Sequence, residues 1–297
     1  MNRLKECWLI VNEFLYTNKF SELAQWLLEA GKRRGISLCI RTNAEVLVEF
    51  GGRIWPEDRP EFVLFWDKDI RLARALEEAG IPVYNSAGAI EACDDKSLTH
   101  QILYKAGIPM PETILAPMTY GNIGYSNLDF LRKPAERLGF PMVVKECFGS
   151  FGQQVYLVHS MEELESCVLG IGARPMLFQR FIASSFARDI RLQVVGDQVV
   201  AAMYRYSDTG DFRANISNGG KMKPYTPDEA EKELAVTSCR ALGLDFAGVD
   251  LLFGPEGKPL VCEVNSNAHF KNIFTCTGVN VADNIMEHIL LERKRAQ

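Results

Sequence analysis

Two acidic residues interrupt apolar runs near the C-terminal end of the chain. Residues 246–265 read FAGVDLLFGPEGKPLVCEVN, and Asp250 and Glu263 each have apolar neighbours on both sides. A carboxylate buried without a partner costs free energy, so an acid in an apolar strand usually has a cation beside it. The GPEG segment between the two runs predicts a turn, and therefore a β-hairpin. Because side chains alternate along a strand, Glu263 and Asn265 point to one face, where Asp250 on the facing strand can join them.

Two carboxylates and an amide form an all-oxygen set of ligands. Such a set suits Mg²⁺ or Mn²⁺, particularly where nucleotide phosphates complete the coordination shell. The alternative is an ordinary hairpin whose acids face solvent. The spacing of Asp250, Glu263 and Asn265 indicates a metal site, and these residues alone leave both interpretations open.

A lysine followed by a glycine loop is the second group that suggests chemistry. Residues 142–158 read MVVKECFGSFGQQVYLV, which predicts a strand delivering Lys145, a loop containing Gly149, Ser150 and Gly152, and a returning strand. A lysine that leaves a strand just before such a loop can hold phosphate by charge while backbone N–H groups approach closely. The alternative is a hairpin turn with an exposed lysine.

Charged residues also stand at the outer ends of a predicted hairpin, where Asp189 opens the first strand and Arg205 closes the second. The segment that follows, residues 210–221, reads GDFRANISNGGK and carries Arg213 and Asn215 near two glycines. Loops of this composition either clamp anions or are simply solvated.

The composition argues against several classes of protein. The 297 residues suffice for two or three lobes, and the net charge of −5 argues weakly against a general nucleic-acid binder. No run approaches the roughly 18 apolar residues of a membrane span, and the N-terminal apolar run predicts a first strand rather than a signal peptide. The eight cysteines form no CxxC pair and the four histidines lack metal-ligand spacing, so we expect a reduced, cytoplasmic protein without zinc or disulfides.

The elements that must position these residues begin with a small parallel α/β lobe over residues 1–90. Its strands alternate with helices, as in parallel sheets, and no GxGxxG motif indicates a dinucleotide site. The third strand is followed by Asp67-Lys68-Asp69, at the edge where open α/β sheets bind ligands. The strands are predicted at 8–11, 37–40, 62–66 and 81–84, and the helices at 20–34 and 70–79.

Taken in order, the motifs of the chain resemble a known family. The order is Asp95-Lys96, strand–Lys145–glycine loop, MLFQRFI, DIR, FRANISNGG, AGVDLLF and VCEVN. This resembles the ATP-grasp carboxylate–amine ligases, most closely the RimK-like α-L-glutamate ligase group, from about residue 86 to 291. The resemblance implies an α/β ATP-grasp fold with a leading domain (1–90), a central subdomain (91–178) and a C-terminal subdomain (179–297). ATP would lie between the last two.

The resemblance also implies a nucleotide site. Its parts are two lysines at the phosphates, a glycine loop that covers them, the interlobe linker at the adenine, and an acid near the ribose. In that order, the matching residues are Lys96 and Lys145; Gly149, Ser150 and Gly152; Arg180 and Phe181; and Asp189.

The same resemblance implies the catalytic residues and the reaction. Arg205 and Arg213 match cations for the γ-phosphate and an acyl phosphate, with Asn215 beside them. The magnesium ligands match Asp250, Glu263 and Asn265. The implied reaction is attack of a carboxylate on the γ-phosphate of ATP, followed by capture of the acyl phosphate by an amine to form an amide bond.

The implied partners are an amino acid, glutamate among them, and a carboxylate-bearing acceptor that is a small molecule, a peptide or a carrier protein. After Asn265 the family's usual small-Pro-Gly is replaced by residues 266–272, SNAHFKN. The FKN part resembles the branch that ligates α-aminoadipate or glutamate to a carrier protein, and His269 is either an acceptor-side residue or an ordinary loop histidine.

Two other classes stay open on the same fold, a non-catalytic ATP-binding protein and a kinase-like phosphotransferase. We expect no membrane and no direct nucleic-acid partner. A homo-oligomer is left open.

Overall fold

The structure, a computed structural model, describes residues 6–15, 18–51, 53–149, 152–216 and 219–295. The leading lobe contains a parallel sheet of order β2-β1-β5-β6. Strand β1 is apolar and almost completely buried, as expected of a strand covered on both faces. The elements are β1 Cys7–Val11, α1 Asn18–Arg33, β2 Leu38–Thr42, β3 Leu47–Val48, β4 Ile54–Trp55, β5 Val63–Phe65, α2 Ile70–Glu78 and β6 Val83–Tyr84.

The predicted alternation of strands and helices is confirmed in this lobe. The sequence did not predict the small β3–β4 hairpin, because strands of two residues are too short to show a period.

A second, antiparallel sheet of order β7-β10-β8-β9 has its own core. Apolar side chains from α5, α6 and the sheet, such as Leu138, Leu164 and Phe178, form this core. Two helices, α3 Ala87–Asp94 and α4 Lys96–Lys105, precede it. The elements are β7 Thr113–Leu115, α5 Arg132–Leu138, β8 Met142–Glu146, β9 Val155–Val158, α6 Met161–Ile171 and β10 Met176–Arg180.

The third sheet is antiparallel, of order β13-β12-β11-β14-β15, and its last two strands are the predicted hairpin. Helix α7 begins after Asp228, which forms a full capping box with Glu231. The elements are β11 Arg188–Val195, β12 Gln198–Tyr206, β13 Lys221–Pro224, α7 Glu229–Ala241, β14 Phe246–Phe253, β15 Pro259–Asn265, α8 Lys271–Thr277 and α9 Val281–Arg295.

The third sheet joins two cores. One core combines residues of the leading lobe, such as Leu27 and Phe62, with Phe246, Phe270 and Ile285 of the C-terminal lobe. The other lies among α3, α4, α7 and the third sheet. The leading and C-terminal lobes therefore share one interior, and α3 and α4 pack against the C-terminal sheet. None of the described helices combines the length and apolarity needed to cross a membrane.

One buried amide ties the leading lobe to the base of the β14–β15 hairpin. Asn85, which is 0% exposed, follows β6. Its Nδ2 donates to the carbonyls of Phe246 (2.9 Å) and Ser266 (3.1 Å). Its Oδ1 accepts from the backbone N–H groups of Asp245 (2.7 Å) and Phe246 (3.2 Å). A single side chain thus holds both strands of the hairpin at the end where the lobes meet.

Candidate active site

The strand register aligns two acids and two arginines across the third sheet. Asp189 lies opposite Arg205 in the β11–β12 pair, and Arg191 lies opposite Asp250 in the β11–β14 pair. Arg205 holds Asp189 with two bonds (2.6 and 2.7 Å), and Arg191 holds Asp250 in the same way (2.6 and 2.6 Å). Arg205 also lies 2.9 Å from the Oδ2 of Asp250, which links the two pairs. We call these four residues the ion ladder.

The ion ladder explains how two carboxylates are tolerated in this position. Only 4% of Asp250 is exposed, so it needs charge compensation. Burial raises the pKa of Asp250, but the guanidinium groups of Arg191 and Arg205 outweigh burial and hold this pKa below its usual range. Arg191 was not predicted as a site residue, although its two-residue spacing from Asp189 in DIR places both on one face of β11.

The three predicted metal ligands lie on the β14–β15 hairpin. Asp250 is opposite Glu263, and Asn265 is opposite Gly248. The Oε1 of Glu263 is 3.7 Å from the Nζ of Lys96, and the Nδ2 of Asn265 is buried without a hydrogen-bond partner among the described residues. Both oxygens of Asp250 already accept bonds from arginines. Glu263 therefore has the more available carboxylate.

These residues fit a metal that shares its shell with phosphate. In the described part of the chain, no three His, Cys, Asp or Glu side chains cluster so that they could hold a metal ion on their own. Two carboxylates and the amide oxygen of Asn265 form an all-oxygen donor set that suits Mg²⁺ completed by phosphate oxygens. The assignment of Asp250, Glu263 and Asn265 as metal ligands stays a prediction.

A cavity between the second and third sheets brings together most of the predicted nucleotide residues. Asn265 lines a second cavity instead, and Ser150 lies outside the described residues. The predicted residues that line the first cavity are Lys96, Lys145, Gly149, Gly152, Arg180, Phe181, Asp189, Arg205, Arg213, Asn215, Asp250 and Glu263.

Lys145 is a buried cation of this cavity without a carboxylate partner in the described chain. Only 6% of it is exposed, and its Nζ lies 3.7 Å from the Sγ of Cys262. No carboxylate of the described chain lies within ion-pair distance of it. Lys96 is better satisfied, since it donates to the carbonyl of Gly149 at 3.2 Å and has Glu263 nearby. Because an isolated buried ammonium group is costly, phosphate oxygens would stabilise the pair.

The glycine loop and the arginine loop meet over the cavity. Arg213 donates to the carbonyl of Gly152 and is held by Asp211, with Nη2 and Oδ2 2.8 Å apart. Gly152 has a φ of +70°, and a Cβ there would lie 3.1 Å from the Oδ1 of Asn215. The positive φ favours glycine at this position, and a Cβ would also press on the amide of Asn215.

The interlobe linker contributes an aromatic wall to the cavity. The guanidinium group of Arg180 faces the second sheet, where its Nη2 bonds Glu112 at 2.7 Å and its Nη1 donates to the carbonyl of Leu138 at 3.0 Å. Phe181 stands edge-on to Phe212, with ring centroids 6.5 Å apart. Phe212 also lines the cavity and was missed, since an aromatic residue in an aperiodic loop gives no sequence signal.

The segment after the hairpin connects the lobes. Phe270 is completely buried and packs against Trp26 and Trp66 of the leading lobe, and Lys271 forms an ion pair with Glu22 of α1. Two of the three FKN residues, Phe270 and Lys271, therefore contact the leading lobe. His269 lines the second cavity.

His100 is a buried, neutral histidine beside the two lysines. Gln179 donates to the Nε2 of His100 (2.9 Å), and the Nδ1 of His100 donates to the carbonyl of Lys96 (2.7 Å). Burial, together with the nearby charge of Lys145, lowers the pKa of His100 to about 4. The folded protein thus holds a neutral imidazole at a pH where an unfolded chain, with a pKa of about 6.5, is protonated.

We expect His100 to make stability depend on pH between about 6.5 and 4. In this window the unfolded state binds the proton and the folded state does not, so the free energy of unfolding falls as the pH falls, by up to ~1.4 kcal/mol per pH unit from this residue. Urea unfolding of His100→Gln should show a flatter pH profile over that range. His159→Gln, at an exposed position, is the matched control and should keep the wild-type slope. An unchanged slope in His100→Gln would contradict the expectation.

Comparison with known proteins agrees with the geometry. The model of the RimK-like ATP-grasp domain matches residues 93–289. Human N-acetylaspartylglutamate synthase A is 35% identical over 225 residues, which cover 75% of this chain and 56% of the synthase. A probable alpha-L-glutamate ligase of Parasynechococcus marenigrum is 31% identical, covering 99% of this chain and 63% of the ligase. The chain thus spans less than two thirds of the length of either relative.

Solved structures share the fold. A RimK domain ATP-grasp protein from Sphaerobacter thermophilus superposes with a TM-score of 0.73 at 22% identity, covering 95% of this chain and 98% of that one. The D-alanine–D-alanine ligase of Bacillus anthracis, complexed with ATP, gives a TM-score of 0.73 at 20% identity, covering 99% and 100%. The predicted fold is confirmed. The chain therefore belongs to the RimK-like ATP-grasp family, a family of ATP-dependent carboxylate–amine ligases.

Proposed function

We propose that this protein uses MgATP to join the amino group of an amino acid to the carboxylate of an acceptor through an acyl phosphate. The observation that carries the proposal is the buried, unpaired Lys145 in a cavity that also contains Lys96, the ion ladder and Glu263. Glutamate is the first candidate for the amino acid, because the named relatives are an α-L-glutamate ligase, N-acetylaspartylglutamate synthases and β-citrylglutamate synthases.

The reaction has two steps. First, a carboxylate oxygen of the acceptor attacks the γ-phosphorus, the bond to the β-phosphate oxygen breaks, and ADP leaves. Then the ammonium group of the amino acid loses one proton to water, the neutral nitrogen attacks the acyl carbon, the carbon–oxygen bond to phosphate breaks, and the nitrogen loses a second proton. The products are an amide, ADP and phosphate.

The side chains of the cavity act mainly by position and charge. Lys96 and Lys145 neutralise phosphate oxygens, and Arg205 and Arg213 stabilise the charge of the transferring phosphoryl group and of the acyl phosphate. Asp189 and Asp250 hold Arg205 rigid through the ion ladder. Glu263, Asp250 and Asn265 would hold Mg²⁺, which supplies charge neutralisation at the phosphates. The contact between Arg213 and Gly152 closes the loops, which keeps water from the acyl phosphate.

An assay of ADP release tests the proposal. The purified protein would be given ATP, MgCl₂, L-glutamate and, one at a time, citrate, N-acetylaspartate or a short peptide, with mass spectrometry to identify the product. We expect ADP and an amide in equal amounts with at least one acceptor. Glu263→Gln should lower the rate by about 10²-fold or more, because it removes a charged ligand of the Mg²⁺ that would neutralise the phosphates.

The matched control for Glu263→Gln lies in the same hairpin. Glu256→Gln removes an exposed acid at the turn, whose partner is Lys258, and should keep the wild-type rate. Tight MgATP binding without turnover would instead support a binding protein. A phosphorylated product without an amide would support a phosphotransferase, and either result would overturn the proposal.

A further inference from the structure

A second cavity of about 1210 Å³ lies between the leading lobe and the β14–β15 hairpin. The second cavity shares Gly149, Asn215 and Glu263 with the first cavity, which contains most of the predicted nucleotide residues. A ligand in the second cavity can therefore reach the phosphate end of the nucleotide site. The volume of the second cavity exceeds that of one amino acid and leaves room for an acceptor as well. The wall facing the hairpin comes from the leading lobe.

The position of this wall follows from the topology of the parallel sheet. In the order β2-β1-β5-β6, the chain passes from β1 to β2 on one side and later enters β5 on the other side of β1. The direction in which strands are added therefore reverses between β1 and β5. Open α/β sheets bind ligands at this switch point, beyond the carboxyl ends of the two strands. The residues there are Asn12, after β1, and Trp66 and Asp67, after β5, and all three line the second cavity.

Asp67 lies at the switch point and forms no ion pair within the described part of the chain. Its carboxylate accepts hydrogen bonds from the Nδ2 of Asn12 at 3.1 and 3.2 Å, and no cation of the described chain lies within ion-pair distance of it. Lys68, its neighbour, reaches Asp94 instead. Burial raises the pKa of Asp67 by more than its hydrogen bonds from Asn12 and from the backbone N–H groups of Lys68 and Asp69 lower this pKa. A cationic ligand group would compensate the charge of this carboxylate.

Asp67 lines the same cavity as two of the predicted metal ligands, Glu263 and Asn265. Asn267, two residues after Asn265, donates from its Nδ2 to the backbone carbonyl of Asp67 at 2.8 Å and so links the two sides of the cavity. An amino acid held at Asp67 would therefore share this cavity with Glu263 and Asn265.

We propose that Asp67 binds the ammonium group of the amine substrate in the second cavity, with Asn12 fixing the orientation of the carboxylate. This inference rests on the proposed ligase function and names the residue that recognises its second substrate. The ligand class is a primary amine of an amino acid.

Two variants with the same change of charge test the assignment. Asp67→Asn removes the charge but keeps an oxygen that accepts from Asn12. Asp69→Asn, two residues along, is the matched control, because Asp69 caps α2 through the N–H of Leu72 and asparagine caps equally well. Each protein would be titrated calorimetrically with the twenty protein amino acids in the presence of MgAMPPNP. Asp67→Asn should weaken the tightest binder by about tenfold or more, and Asp69→Asn should leave it within about twofold.

A partial reaction separates this inference from the proposed function. Hydroxylamine is small and largely uncharged at neutral pH, so it captures an acyl phosphate without needing an ammonium site. With ATP and an acceptor, Asp67→Asn should form hydroxamate at the wild-type rate while its KM for the amino acid rises about tenfold. Equal loss of hydroxamate and amide, an unchanged amino-acid affinity, or no amino-acid binding to the wild type would each overturn the assignment. Absence of hydroxamate in the wild type, with amino-acid binding still lost in Asp67→Asn, would overturn the ligase function and leave the binding site standing.

Discussion

Lys145→Met should abolish amide formation while making the protein more stable. Methionine has nearly the shape of lysine without its charge, so the variant removes the buried cation whose Nζ lies 3.7 Å from the thiol of Cys262. We expect kcat/KM for ATP to fall about 10³-fold, the order of effect of removing a charge from a phosphoryl-transfer site. Because an unpaired buried charge opposes folding, the free energy of unfolding without nucleotide should rise by about 1–2 kcal/mol. ADP release and urea unfolding measure the two effects.

Lys96→Met is the informative comparison for Lys145→Met. Lys96 donates to the carbonyl of Gly149 and lies near Glu263, so its removal leaves an acceptor and an acid without their partner. Activity should fall as in Lys145→Met, but stability should stay level or decrease. If Lys145→Met were less stable than the wild type, or kept its activity within about tenfold, Lys145 would not be a cation reserved for phosphate.

Asn85→Ala should cause the largest loss of stability. The change leaves two backbone N–H groups and two carbonyls without their partner in a site that is 0% exposed. Since each unsatisfied buried group costs roughly 1–3 kcal/mol and some of them relax towards water, we expect a loss of about 3–5 kcal/mol in urea unfolding. Asn85→Asp should be comparably harmful, because a carboxylate cannot donate to the carbonyls of Phe246 and Ser266.

An exposed asparagine provides the control for Asn85→Ala. Asn127 accepts from the N–H of Asp129 in a surface loop, and its replacement by alanine should cost less than about 1 kcal/mol. A loss below about 1 kcal/mol for Asn85→Ala would show that the lobes are held together by their shared core alone.

The sequence predicted the elements of the site better than their partners. The apolar runs and the GPEG turn give the β14–β15 hairpin, because alternation and turn residues are local signals. The pairing of Asp250 with Arg191 depends on the register between β11 and β14, residues 59 apart, which no local pattern encodes. Asn85 was equally invisible, since its four bonds cross about 160 to 180 residues of chain.

The common interior of the leading and C-terminal lobes determines which part of the molecule can hinge. Leu27, Phe246 and Ile285 belong to one core, so these lobes form a single large body, whereas the second sheet has a small core of its own. We expect the first cavity, between the second and third sheets, to open by rotation of the second sheet against this larger body. The cavity that contains Asp67 is lined mainly by this larger body, and Gly149, in the loop after β8, is its contact with the second sheet. We therefore expect nucleotide exchange to require movement of the second sheet, and binding of the proposed amine at Asp67 to depend less on that movement.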